Sequence, residues 1–334
     1  MRPSARIRHV ARLRYGAALA VTLAALVSAC TVDSGTAPPR ADASTPRASV
    51  SPSPETSPTP TPTAPPVLAV KIDNVGPARP QTGLDAADIV YAEQVEAGLS
   101  RLMAVYATRL PETVGPVRSA RETDLELLAQ FHDPTLAFSG AQSKLLPLID
   151  KAPLRAVPPE KADAAYYRGL NKPAPHNLYL RPDKVMDKAA GAAALAQTGF
   201  RTGPAPSGGK AVKQRTVKFP AARFTFTWSA DRGRWLVSMD GTRARTTDGK
   251  DLAPATVVVQ HVKVRESAFH DFLGNNSPYS ETVGSGTAEV LRDGRSYDVR
   301  WSRPSADEGT EFTTADGAPV NFAAGQVWVV LAKA

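Results

Sequence analysis

The chain has 334 residues, a formal net charge of +8, 42% hydrophobic residues and one cysteine, enough sequence for one or two domains with cores of their own. Five of those charges are arginines within the first 14 residues, so the rest carries about +3, too little for a general pull on nucleic acid, which is excluded as a partner. A single cysteine excludes internal disulfides and cysteine-based zinc sites.

Residues 1–14 are basic and free of acids, residues 15–26 form an uncharged run rich in Ala, Val and Leu, and Val27-Ser-Ala-Cys30 closes the segment. These are the parts of a secretory signal, placed here over 1–29. The apolar run is short for a membrane span. Val-Ser-Ala-Cys resembles the lipobox of bacterial lipoproteins, in which the cysteine thiol takes up a diacylglycerol and becomes the new N-terminus. Cys30 is therefore the expected lipidation site. The competing reading is an uncleaved N-terminal anchor; both hold the remainder outside the cytoplasmic membrane. Residues 31–66 are nearly all Thr, Ser, Ala and Pro, with ten prolines and no aromatic residue. Such a segment is expected to stay disordered and to act as a tether, reaching about 110 Å at full stretch.

A strand is expected over residues 67–72, ended by Asp73-Asn74 and a Gly76-Pro77 turn. Residues 87–95 and 99–108 read as two more strands, joined tightly at Ala97-Gly98. Ser119 and Glu122 have the spacing of a capping box, so a helix is expected from Ser119, with Leu125, Leu128 and Ala129 on its apolar side. Further helices are expected over 144–149 and 181–195. Residues 203–209 read as a linker, after which the pattern turns to strands at 223–228, 235–239, 256–260, 288–291, 297–301 and 327–331. Asp-Gly pairs at Asp240, Asp248, Asp293 and Asp316 mark turns between them. The expected class is α+β: an N-terminal α/β domain over 67–200 and a second, mainly antiparallel β domain over 210–334.

Candidate ligand-binding residues cluster in the first half. Asp73, Asn74, Arg79 and Gln81 follow the first strand; Glu93, Glu96 and Arg101 lie on or beside the hairpin; Arg118, Ser119 and Arg121 surround the helix start; His176-Asn177 follows a Pro-rich stretch. Strand ends and a helix start converge on one side of an α/β sheet, where clefts form. A helix N-terminus flanked by two arginines suits a carboxylate or phosphate. The competing reading is that Ser119 only caps the helix and the arginines pair internally with Glu93, Glu96 or Asp73. A glycosidase-like pairing of Glu93 with Glu96 is disfavoured, because residues three apart in a strand point to opposite faces. Ser119 with His176 as base lacks a nucleophile elbow. No metal-ligand spacing, nucleotide-binding glycine motif or cofactor signature occurs. The tryptophans at 228, 235, 301 and 328 read as core residues on strands.

Lys71-Ile-Asp-Asn74, Ala78-Arg-Pro-Gln-Thr-Gly83, Ala87-Asp-Ile-Val-Tyr91, Glu96 with Gly98 and Arg101, Gly115-Pro-Val-Arg-Ser-Ala-Arg121 and Ala174-Pro-His-Asn-Leu-Tyr179 resemble the YerB-like lipoprotein family. Gly284-Ser-Gly286, Trp301-Ser-Arg303 and Gly325-Gln-Val-Trp328 are similar to its second domain. One departure is Ala255, where the family usually has asparagine. The resemblance implies a layered α/β sandwich followed by a β-rich domain. It also implies a cell-envelope setting with a link to penicillin-binding proteins and wall synthesis, and it implies no catalytic residue. The expected partners are thus the membrane, through the lipid on Cys30, and a penicillin-binding protein or wall polymer.

Overall fold

The computed structural model describes residues 65–271 and 273–334. The signal, Cys30 and the tether through residue 64 lie outside the described residues. No helix among the described residues is long and apolar enough to cross a membrane.

The chain opens with β1 (Leu68–Asp73), β2 (Ile89–Gln94) and β3 (Ser100–Tyr106), with β3 antiparallel to both neighbours. The short helix α1 (Glu122–Leu128) follows, then β4 (Thr135–Ala137), α2 (Leu146–Lys151) and β5 (Arg155–Ala156). Strands β6 (Tyr166–Arg168) and β7 (Leu178–Leu180) pair as a separate ribbon. After β8 (Lys210–Ala211), four strands form an antiparallel sheet in sequence order: β9 (Gln214–Phe219), β10 (Ala222–Ser229), β11 (Arg234–Met239) and β12 (Thr242–Arg243). Next come β13 (Thr256–Val262), the ribbon of β14 (Val264–His270) and β15 (Asn276–Ser280), then β16 (Gly284–Arg292), β17 (Arg295–Arg303), β18 (Glu311–Thr313) and β19 (Val327–Lys333).

The main sheet has eleven strands in the order β18-β17-β16-β13-β19-β2-β3-β1-β4-β5, with β8 added beside β17. Its two halves join where β19 runs parallel to β2, from Val327 opposite Ile89 to Val330 opposite Ala92. The class is α+β, with a mixed sheet across the first half and antiparallel pairing dominating the second.

Both faces of the central strands are covered, which is why β1, β2, β13 and β19 read as nearly continuous apolar runs. Val70, Ile72, Val257, Val259, Trp328 and Val330 point to one layer, which the β9–β12 sheet completes with Phe224, Phe226, Trp235 and Val237. Ala69, Tyr91, Met103, Val258, Val329 and Leu331 point to the other, closed by Leu127 and Leu128 of α1 and Ile149 of α2. Trp235, Trp301 and Trp328 are buried core residues as expected, and Trp328 meets the rings of Phe224 and Phe226 edge-on at 6.2 and 6.0 Å. Asp240-Gly241 and Asp293-Gly294 take positive φ at both residues, the hairpin geometry that Asp-Gly favours.

Two expectations are corrected. Residues 181–195 form no α-helix; Pro182–Lys184 and Ala192–Thr198 are separate 3-10 turns, divided by Gly191 at φ 91°. The first helix starts at Glu122, not Ser119. Its N-cap is Arg121, whose backbone N–H donates to Asp124 Oδ2 at 2.7 Å, so the acid that closes the first turn is Asp124. A helix of seven residues has too few aligned peptides to be an anion site by itself.

Candidate functional site

Strand periodicity places the charged residues. On β1, Lys71 and Asp73 share a face; across the sheet, Asp73, Arg101 and Glu93 form one row, with Met103 and Tyr91 beside Lys71 in the next. The inner set is sealed. Lys71 is fully buried and its ammonium bridges Glu93 and Asp124, the latter at 2.6 Å from Nζ to Oδ1. Two carboxylates against one ammonium leave a surplus negative charge in a dry site. Burial, reinforced by Asp124 and opposed by Lys71, pushes the Glu93 carboxyl up to about 7. Glu93 Oε2 has no hydrogen-bond partner, so within this site only Lys71 offsets the burial of the carboxyl. Lys71 was missed as a functional candidate because a lysine inside an apolar strand carries no local signal of its partners.

The outer set lines a cavity of about 690 Å³ at the carboxyl end of β1. Asp73, Glu96, Arg101, Arg118, Ser119, Arg121 and His176 all border it. Asn74, Arg79, Glu93 and Asn177 do not. Asn74 and Arg79 brace the loop after β1: Arg79 donates to the Asn74 backbone O at 2.6 Å and side-chain Oδ1 at 3.2 Å, Gln81 donates to the same Oδ1 at 2.9 Å, and Asn74 donates to Ser100 Oγ at 3.0 Å. Arg79 also reaches Asp240 in the second half at 2.9 Å. Asn177 ties down the β6–β7 loop through Gly169 O and Arg168, at 2.9 and 2.8 Å.

Within the cavity most charges are matched. Arg121 grips Glu96 with two parallel bonds of 2.6 Å, and Ser277 Oγ donates to the same carboxylate. Burial raises the Glu96 carboxyl, but the Arg121 fork outweighs it and the net shift is downward. Asp73 Oδ2 lies 3.1 Å from Arg118 Nε and 2.8 Å from His176 Nδ1. The Arg118 contact is an ion pair without good hydrogen-bond alignment, since that Nε has no bonded partner. Flanked by Arg118, Asp73 accepts from His176; in the neutral ring this leaves Nε2 as the acceptor nitrogen.

Arg101 differs. It donates to Ser119 O at 3.1 Å and pairs with no carboxylate among the described residues. Burial, with Arg121 and Arg118 nearby and Glu96 and Asp73 opposing them, lowers it to about 10, so it stays charged at neutral pH. Ser119 contributes its backbone O to Arg101 and Arg121 rather than a cap hydroxyl.

The second half closes the cavity. Phe269, His270, Asp271, Leu273, Asn275 and Ser277 of the β14–β15 ribbon line it, and Leu273 is 72% exposed at the rim. No sequence pattern marks this ribbon; Ser277 and Tyr279 reach Glu96 and Glu126 of the first half through their hydroxyls, contacts that leave no local trace. No group of three or more metal-ligating side chains is gathered among the described residues.

The comparisons agree with the architecture. The family model "Protein of unknown function (DUF3048) N-terminal domain" matches residues 53–196, and the C-terminal domain model of that family matches residues 215–329. The protein named "Putative lipoprotein YerB" of Bacillus subtilis (strain 168) is 27% identical over 286 residues, covering 78% of this chain and 80% of that one. The crystal structure of the YerB protein from Bacillus subtilis superposes with a TM-score of 0.65 at 20% identity, over 80% of this chain and 90% of that chain, a likeness of fold. With both domain models matched in order, the chain belongs to the DUF3048 family.

Proposed function

We propose that the protein is a lipoprotein anchored through Cys30 on the outer face of the cytoplasmic membrane, and a non-catalytic binding module of the cell envelope. The lipobox-like Val27-Ser-Ala-Cys30 and the name of the Bacillus relative support the anchor. Replacing Cys30 with Ala is expected to move the chain from the membrane fraction to the soluble exported fraction; retention at the membrane would contradict the lipid anchor.

The folded part binds an anionic group in the cavity, either on a wall component or on a wall-synthesis protein such as a penicillin-binding protein. Arg101 carries this reading: it is the lining arginine that no carboxylate neutralises among the described residues, and its planar fork suits a carboxylate or phosphate. Arg118 and Arg121 add field, although Asp73 and Glu96 occupy them. Purified chain lacking its first 64 residues is mixed with wall fragments and with penicillin-binding proteins. Binding that falls with Arg101→Ala and with Arg118→Ala plus Arg121→Ala supports the cavity; absent binding, or binding indifferent to these changes, overturns it.

A second reading, a hydrolase or transferase acting on a wall glycan or peptide, is favoured by one observation, the Asp73–His176 contact beside the cavity. The two-carboxylate version loses its support, because Glu93 sits outside the cavity in an ion pair and Glu96 is held by Arg121. Release of product from wall fragments that disappears with His176→Ala would select hydrolysis over binding. A third reading gives the arginines a purely structural part; large stability losses with unchanged ligand interaction would favour it.

A further inference from the structure

We infer that the cavity takes the free carboxyl end of a short peptide and not a polyanion. This rests on the anion-accepting reading of the same cavity and narrows it. The ground is the charge left over once the internal pairs are made. Asp73 matches Arg118, and Glu96 matches Arg121. Arg101 then remains as the unmatched cation among the described lining residues. Two lining acids are also without an ion pair among the described residues. Glu122 has a buried Oε2 that no donor reaches. Asp271 accepts from Leu273 N, Asn275 N and Asn275 Nδ2, each at 2.9 Å; those bonds, with Arg121 adding at longer range, hold its carboxyl low, and no ion pair fixes it among the described residues.

A chain of anionic groups would set one of them on Arg101 and press the rest against Glu122 and Asp271. Like-charge contact of that kind selects against a ligand as firmly as Arg101 selects for one. A single carboxylate on Arg101, with a peptide N–H turned to His176 Nε2, meets no such repulsion and pairs both groups. The remaining wall alternates in kind. Leu99, Phe269 and Leu273 are apolar, while Gln142, Ser143 and Asn275 carry hydrogen-bonding groups. A plain hydrocarbon tail would cover those polar groups without pairing them, whereas peptide amides pair with them and small side chains fill the gaps. A volume of about 690 Å³ is of the size that small ligands occupy.

The test uses the full chain in detergent micelles. An equimolar tripeptide library is offered as free acids and as C-terminal amides, and inorganic tripolyphosphate serves as the polyanion. Retained peptides are identified by mass and their affinities measured by calorimetric titration. Free acids are expected to bind about tenfold or more tightly than their amides. That preference is lost in Arg101→Met and partly kept in Arg101→Lys, which retains charge without the fork. Thermal melting of each variant separates loss of ligand from loss of fold. Amides retained as well as acids overturn the inference. Tripolyphosphate binding more tightly than every acid, through Arg101, also overturns it and leaves the anion reading standing. If neither acids nor tripolyphosphate bind, both readings fall.

Discussion

Lys71 and Asp73 lie two residues apart on one face of β1, yet one is sealed between Glu93 and Asp124 while the other borders an open cavity. The same contrast separates Glu93 from Glu96. Glu93 is driven up to about 7 by burial, and Glu96 is held low by the Arg121 fork. Depth decides the difference. Under α1, Lys71, Glu93 and Asp124 have only one another; beside the cavity, Arg118 and Arg121 have acid partners and Arg101 has space for a ligand. The inner set and the matched Arg121–Glu96 pair should therefore govern stability, and the unmatched Arg101 recognition.

The sharpest attack on that division is Lys71→Met. It leaves two buried carboxylates facing each other, and a loss of about 3–5 kcal/mol in denaturant unfolding is expected. A loss below about 1 kcal/mol would mean the inner set is not what holds this corner. Next is Arg121→Ala, which strands the buried Glu96 carboxylate and should cost roughly 2–4 kcal/mol at neutral pH. Because Glu96 is depressed, that difference is present above the unfolded value and should shrink as pH falls through the folded one.

Glu93→Gln probes the opposite sign. A carboxyl raised from 4.5 to about 7 binds its proton more tightly in the folded chain than in the unfolded one. Its contribution is full below pH 4.5 and declines as pH rises through about 7. Replacing it with Gln should flatten that decline in a stability-against-pH series; an unchanged slope would contradict a protonated Glu93. The smallest effect on folding belongs to Arg101→Ala. It removes one bond to Ser119 O and no ion pair, so a shift within about 1 kcal/mol is expected by thermal melting.

Period-two burial leaves a local trace in β10, β11 and β17, a nearly unbroken apolar run does the same in β1, β2, β13 and β19, and Asp-Gly marks the turns at Asp240 and Asp293. The join of β19 to β2 leaves no such trace, since pairing across some 240 residues depends on complementary apolar faces and not on any short motif. The candidate set was drawn from strand ends and a helix start, and the fold brings seven of those residues to one cavity. The helix start itself was misread, because a serine three residues before Glu122 imitates a cap that Asp124 in fact completes. The roles within the set were illegible for a plainer reason. Which arginine faces a carboxylate is set by Asp73 and Glu96, 45 and 25 residues before Arg118 and Arg121, and the ribbon of Ser277 and Asp271 that encloses the space beside Arg101 lies more than 150 residues away in sequence.

The most direct measurement is ligand binding by Arg101→Ala beside its melting temperature, with Lys71→Met as the companion variant. The division of labour predicts that Arg101→Ala melts like the parent and fails to bind wall fragments or the partner, while Lys71→Met melts far lower. An Arg101→Ala protein that binds as the parent does would contradict it.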